Sequence, residues 1–208
     1  MGKQGKLITL EGVDGAGKST HLEFIADALR TAGGDEGRHV IVTREPGGTD
    51  LAERMRQAIL AQPMPPGMET LFLFAARADH VARVIGPALA AGSWVVCDRF
   101  TDATAAYQGA GKGVSLDSIR MLAELAHQGL MPARTLVFDC SYEVARERLA
   151  ASRKTLDRFE REDRAFFERV RAAYLERARA EPARMRVIDA SVGVEAIRKA
   201  IAANLSGL

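Results

Sequence analysis

The sequence predicts an α/β protein with parallel strands joined by crossover helices. Two observations carry that prediction. Five short apolar runs rich in β-branched residues alternate with longer segments of helical period. The first run ends in a glycine loop that opens an amphipathic helix, "EGVDGAGKST" at residues 11–20. With 208 residues, the chain is long enough for one well-packed domain and short for two of ordinary size, so a single domain over 1–208 is expected.

The runs expected as strands are 7–11, 39–43, 94–98, 135–139 and 185–188. Each is nearly all apolar, as in a sheet covered on both faces. After the glycine loop, Leu22, Ile25, Ala26 and Leu29 follow the i, i+3, i+4, i+7 rule of a helix, which Gly33 and Gly34 should end. A second helix is expected from Asp50, with Asp50 and Glu53 at capping-box spacing, to the proline-rich "QPMPPG". A long apolar helix over 68–90 should be irregular at Gly86-Pro87. Ser115 is placed to cap the helix carrying Ile119, Leu122, Leu125 and Ala126, and Ser141 the one carrying Val144 and Leu149. Val194, Ile197, Ile201 and Leu205 mark the last helix. The least regular segments, 33–38, 62–67, 100–113 and 152–160, are where a rigid sheet would carry function.

Hydrophobic residues make up 47% of the chain and charged residues 27%, the composition of a soluble globular protein. A net charge of +2 gives no concentrated basic surface, which weighs against a dedicated nucleic-acid binder. No stretch approaches the ~18 apolar residues of a membrane span, and the N-terminus has no run long enough for a signal peptide. A cytoplasmic protein is expected. Cys97 and Cys140 read as reduced core thiols, and His21, His39, His80 and His127 lack metal-ligand spacing, so no structural metal is expected.

Gly12-x-x-x-x-Gly17-Lys18-Ser19 supplies backbone N–H groups, a helix N-terminus and a lysine, all of which favour anions. Residues Gly12, Val13, Asp14, Gly15, Ala16, Gly17, Lys18, Ser19 and Thr20 are therefore expected to hold nucleotide phosphates. Lys18 would reach the β- and γ-phosphates, and the Ser19 hydroxyl would contact Mg²⁺. Asn204 is the only asparagine, so the N-K-x-D guanine-reading pattern of small GTPases is absent. In "TREPGGT", Arg44 ends the second strand, where ligands gather in open α/β sheets, and is placed for a second phosphate; a solvated turn is the plain alternative. In "WVVCDRF", Asp98 resembles a Walker-B acid able to hold Mg²⁺ through water, and Arg99 adds a phosphate ligand. In "ASRKTLDRFERED", Arg161 and Arg164 read as solvated, whereas Arg153 lies where a loop arginine could close over a transferring phosphate.

Taken together and in order, "EGVDGAGKST", "TREPGGT", "LFAARADHV", "DRFTDATAAYQGAGKG" and "LDRFE" resemble the bacterial thymidylate kinases, a family of P-loop nucleoside monophosphate kinases. The resemblance spans nearly the whole chain. It implies a P-loop kinase fold, a five-stranded parallel sheet flanked by helices with a small lid segment at about 150–162. It further implies transfer of the γ-phosphoryl of ATP to dTMP, giving dTDP and ADP with Mg²⁺, in dTTP biosynthesis by a homodimer. A related kinase acting on another deoxynucleoside or monophosphate such as dUMP is the alternative, and a nucleotide-binding regulatory module is the rival from another class.

Carried over by position, Arg44 and Arg99 would serve the acceptor phosphate and Arg77 the thymine edge. Thr104, Tyr107 and Gln108 would meet base and sugar, the Tyr107 ring disfavouring a ribose 2′-hydroxyl. Glycine at 15, with Arg153 in the lid, matches the members whose helper arginine lies in the lid. Arg153 would then stabilise the transferring phosphoryl group beside Lys18 and Arg99. The phenylalanine that often stacks on thymine falls on Leu73 here, so either Phe74 takes that place or leucine packs there. Asp14, inside a loop built for anions, should turn outward to the acceptor, near the dTMP 3′-hydroxyl.

Overall fold

Strand β1 (Leu7–Gly12) is the centre of the sheet, and all six of its residues are buried. In this computed structural model, which describes residues 4–32, 38–152 and 157–208, it lies between β3 (Trp94–Asp98) and β4 (Arg134–Asp139). Strand β2 (Val40–Arg44) adds beyond β3, and β5 (Met185–Asp189) beyond β4, giving the order β2-β3-β1-β4-β5. Every pairing is parallel. The register brings Leu10 and Arg44 both opposite Asp98, and Gly12 opposite Phe138. Strand order reverses across β1, so the crevice at the carboxyl ends of β1 and β3 is the expected ligand site of such a sheet.

Helix α1 (Lys18–Thr31) buries His21, Ile25, Ala26 and Leu29 against one face of the sheet, together with α9 (Val194–Leu205), while α8 (Arg164–Ala180) packs on the opposite face, where its Tyr174 hydroxyl donates to Glu11. The other face carries Leu7, Val95 and Cys97 under Ile85, Ala88 and Leu89. The thiols of Cys97 and Cys140 are free and buried, and burial raises the pKa of each. Gly33 and Gly34, the expected stop of α1, lie outside the described residues.

Helix α2 (Asp50–Ala61) starts one residue from the expected cap: Thr49 is the N-cap, its hydroxyl accepting from Ala52 N at 3.0 Å. Glu53 does not close a capping box, because its carboxylate takes Gly48 N and Arg44 instead. The long apolar helix breaks before the expected point. Regular α3 (Pro66–His80) passes into a π-helical turn, Val81–Ile85, and then α4 (Gly86–Ala90). Pro87 has no N–H and its ring crowds the preceding turn, so that turn widens and Gly86 N bonds Val81 O five residues back.

The segment 100–113 is largely helical rather than irregular: α5 (Thr101–Thr104) runs into a wide π-turned stretch, Ala105–Gly111. Its glycines serve close packing, since a Cβ on Gly111 would stand 2.6 Å from the Phe166 ring. Ser115 and Ser141 cap α6 (Leu116–His127) and α7 (Tyr142–Ala151) as expected, accepting from Ser118 N and Val144 N. Highly charged α8 was not among the expected elements. It is held by Phe166, Val170, Tyr174 and Ala178, one buried stripe at i, i+4.

Candidate active site

The phosphate loop joins β1 to α1. Gly17 caps α1 in the left-handed conformation, leaving the first N–H groups of the helix directed at the cleft. Gly15 has φ +82, and a Cβ there would lie 2.5 Å from the Ala145 carbonyl oxygen of α7. Lys18 is buried, its Nζ donating to Gly12 O at 3.0 Å and Val13 O at 2.9 Å. Burial lowers its pKa, and the charge of Arg99 adds to that effect. The cleft around this loop is also lined by Ser19, Thr20, Arg44 and Asp98. Asp98 Oδ1 is buried with no hydrogen-bond partner. An oxygen-only orphan beside a serine hydroxyl at a helix N-terminus fits the donor chemistry of Mg²⁺. Arg44 lines the cleft from its rim, its Nη2 3.0 Å from both oxygens of Glu53.

Asp14 does turn away from the loop interior. Its Oδ1 accepts from Arg99 Nη2 at 2.6 Å and its Oδ2 from Tyr107 Oη at 2.9 Å. Burial opposes its ionisation, but Arg99, Lys18 and these hydrogen bonds outweigh burial and hold its pKa below the usual carboxylate value. Arg99 has φ +72, a conformation that costs a side-chain-bearing residue about 1–3 kcal/mol. Its own N–H bonds Leu10 O at 2.9 Å, and the next amide, Phe100 N, bonds Glu11 Oε1 at 2.7 Å. The guanidinium also reaches Tyr107 Oη and Tyr174 Oη, at 3.2 and 3.3 Å.

Beyond this pair lies a second cavity, walled by Leu73, Arg77, Thr104, Tyr107, Gln108 and Phe159. Asp14, Glu45, Arg56, Arg99 and Asp157 line both cavities, so the two meet across the Asp14–Arg99 pair. Arg77 is buried, with Nε on Glu45 Oε2 at 2.6 Å and Nη2 on Phe100 O and Thr104 Oγ1. Its Nη1 has no partner. Glu45 also takes His80 Nδ1 at 3.0 Å, and His80 Nε2 meets Thr43 Oγ1 at 2.8 Å. Glu45, His80 and Cys97 converge as a metal site would. Their atoms are engaged elsewhere: both ring nitrogens and both carboxylate oxygens are hydrogen-bonded, and Cys97 donates to Arg99 O.

One expectation needs correction. Phe74 does not line the cavity: it is buried against Ile119 and Ala123, with the Arg77 guanidinium 4.7 Å from its ring centre. Leu73 holds the wall, because one residue along a helix turns the side chain by about 100°. Arg153 lies outside the described residues. Sequence reasoning missed Arg56 on α2, Arg148 on α7, Glu11 and Tyr174. Arg56 and Arg148 sit on helices whose charge pattern resembles any solvated face, while Tyr174 reaches Glu11 Oε2 at 2.9 Å from 163 residues away.

A family model described as thymidylate kinase matches residues 10–201. A thymidylate kinase of Bordetella petrii is 54% identical over 208 residues, covering all of this chain and 98% of that protein. One of Ralstonia nicotianae is 52% identical over 204 residues, 98% of this chain and 99% of that one. The solved thymidylate kinase of Ehrlichia chaffeensis is similar with a TM-score of 0.77 and 32% identity, across 95% of this chain and 96% of that one.

Proposed function

The chain belongs to the thymidylate kinase family and phosphorylates dTMP to dTDP; from this premise we propose how its residues divide the work. The observation that carries the assignment is the meeting of the two cavities at Asp14 and Arg99. A nucleotide sensor needs one anion site; a phosphotransferase needs two that share a wall.

ATP lies in the cleft of residues 12–20, its β- and γ-phosphates on the loop amides and Lys18. The acceptor lies in the cavity of Arg77, Thr104, Tyr107 and Gln108, its phosphate directed to Arg99 with Arg44 and Arg56 at the rim. A phosphate oxygen of dTMP attacks the γ-phosphorus as the bond from that phosphorus to the β-γ bridging oxygen breaks, and ADP leaves. No general base is needed, because a phosphomonoester is largely ionised near neutral pH, its second pKa being about 6. Catalysis is then positioning and charge neutralisation by Lys18, Arg99 and Arg153. Ser19 directly and Asp98 through water would hold Mg²⁺, which supplies charge neutralisation at the transferring phosphates.

The chain acts as one kinase domain over 1–208 with a lid at about 150–162. We place it in the cytoplasm; among the described residues no helix is long and apolar enough to cross a membrane. It pairs as a homodimer through α3 and α6, whose outer faces expose Leu71, Met121 and Leu125, at 56%, 74% and 81%. The test of the activity is coupled ADP formation with ATP and Mg²⁺ over a panel of nucleosides and monophosphates. The highest kcat/KM is expected for dTMP, and absence of dTMP-dependent turnover would sink the assignment.

A further inference from the structure

Gln108 is 2% exposed and lines the acceptor cavity, so the direction of its amide decides whether it offers the cavity a donor or an acceptor. The side chain alone has no preference. Glu69, fully buried on α3, supplies one: its Oε1 stands 2.7 Å from Gln108 Nε2. The NH₂ end of Gln108 donates to this carboxylate, flanked by cations that likewise need an acceptor, so Oε1 is the end available to the cavity. Two cations face Glu69. Lys112 Nζ lies 3.1 and 3.0 Å from its two oxygens, and the Arg158 guanidinium pairs with Oε2. Across the cavity wall, Arg77 has three of its donor contacts fixed by Glu45, Phe100 and Thr104, and its Nη1 is the donor without a partner.

We propose that Glu69 is a specificity-determining positioning residue: by fixing the polarity of the Gln108 amide, it makes the pair Arg77 Nη1 and Gln108 Oε1 a donor and an acceptor. That pair complements a pyrimidine presenting a 4-oxo group beside N3–H, as thymine does. It opposes cytosine, whose 4-amino group donates and whose N3 accepts. The inference rests on the reading that Arg77 and Gln108 face the base edge. What it adds is that the choice of pyrimidine is made by a residue outside the cavity, which neither touches the substrate nor lines its site.

The test compares wild type with Glu69→Gln, using dTMP and dCMP as acceptors at saturating ATP and Mg²⁺. In the variant, Lys112 and Arg158 still demand an acceptor and hold the carbonyl of the new carboxamide. Its NH₂ then meets Gln108 and turns that amide over. The ratio of kcat/KM for dTMP to that for dCMP should fall about tenfold, the effect of roughly one exchanged hydrogen bond, with the KM for ATP unchanged. A merely structural role would lower both acceptors in parallel, and an unchanged ratio overturns the proposal. Should that variant lose its cooperative melt, Glu69→Asp keeps the charge for both cations but withdraws it from Gln108. A smaller fall in the same ratio is then expected, and no fall overturns the proposal. A wild-type enzyme that used both acceptors equally would sink the base-edge reading itself, and this inference with it.

Discussion

Asp14 and Arg99 form a 2.6 Å ion pair between a residue of the phosphate loop and one at the end of β3, and this pair is the wall shared by the two cavities. The loop thus has two faces. In the division of work proposed above, its amides and Lys18 serve the donor, while its one carboxylate braces the arginine that serves the acceptor.

Replacing Asp14 with Asn should therefore harm acceptor use more than donor use. A charge-assisted hydrogen bond contributes about 1.5–3 kcal/mol, so kcat/KM for dTMP should drop about tenfold or more while the KM for ATP stays within about twofold. Steady-state kinetics with each substrate varied decides it; a larger loss on the ATP side would refute the assignment.

Arg153→Ala should lower kcat by about tenfold or more, since arginines that stabilise a transferring phosphoryl group are worth up to ~10³ or beyond. The KM for ATP should change little. If kcat holds within about twofold, another group carries that charge.

Leu73 and Phe74 should separate cleanly. Phe74→Ala opens a buried site between Ile119 and Ala123 and should cost about 3 kcal/mol or more in a denaturant melt, with little effect on acceptor KM in the folded enzyme. Leu73→Ala should raise the KM for dTMP with a smaller loss of stability. The reverse pattern would place Phe74 under the base after all.

Glu11 gives a pH signature. Burial first, then the charge of Asp102, raises its pKa to about 8, against the opposing pull of Arg99 and its hydrogen bonds. The unfolded chain releases this proton near the ordinary value of about 4.5 and the folded chain holds it to about 8, so the unfolded state binds fewer protons in between. Stability contributed by Glu11 should be complete below pH ~4.5 and decline as pH rises to about 8. Thermal melts of Glu11→Gln across that window should show a flatter profile than wild type; an unchanged slope would show that another group titrates.

The proposed homodimer has a direct check. Leu125→Lys, on the most exposed large apolar side chain described, should shift the light-scattering mass toward 22.5 kDa at unchanged helicity. Wild type already at that mass would exclude the dimer.

The fold was legible because apolar periodicity and one glycine loop are local signals: all five strands fell within one residue of their observed ends, and Ser115 and Ser141 capped where expected. The break in the long helix was misplaced because the steric demand of Pro87 is relieved in the turn before it. The helical character of 100–113 was hidden by its glycines, of which Gly109 packs against Leu116 and Ile119 and Gly111 against the Phe166 ring of α8. Within the site, the sequence by itself determined residues that line the two cavities, from Lys18 to Arg99, since motif spacing encodes the loop and the strand ends. Only the tertiary structure decided which way they face. That Asp14 turns to Arg99, that Leu73 rather than Phe74 meets the cavity, and that Glu69 holds the Gln108 amide are relations between distant segments. They depend on helix phase and on the directions of hydrogen bonds, which exist only once the sheet has brought its loops together.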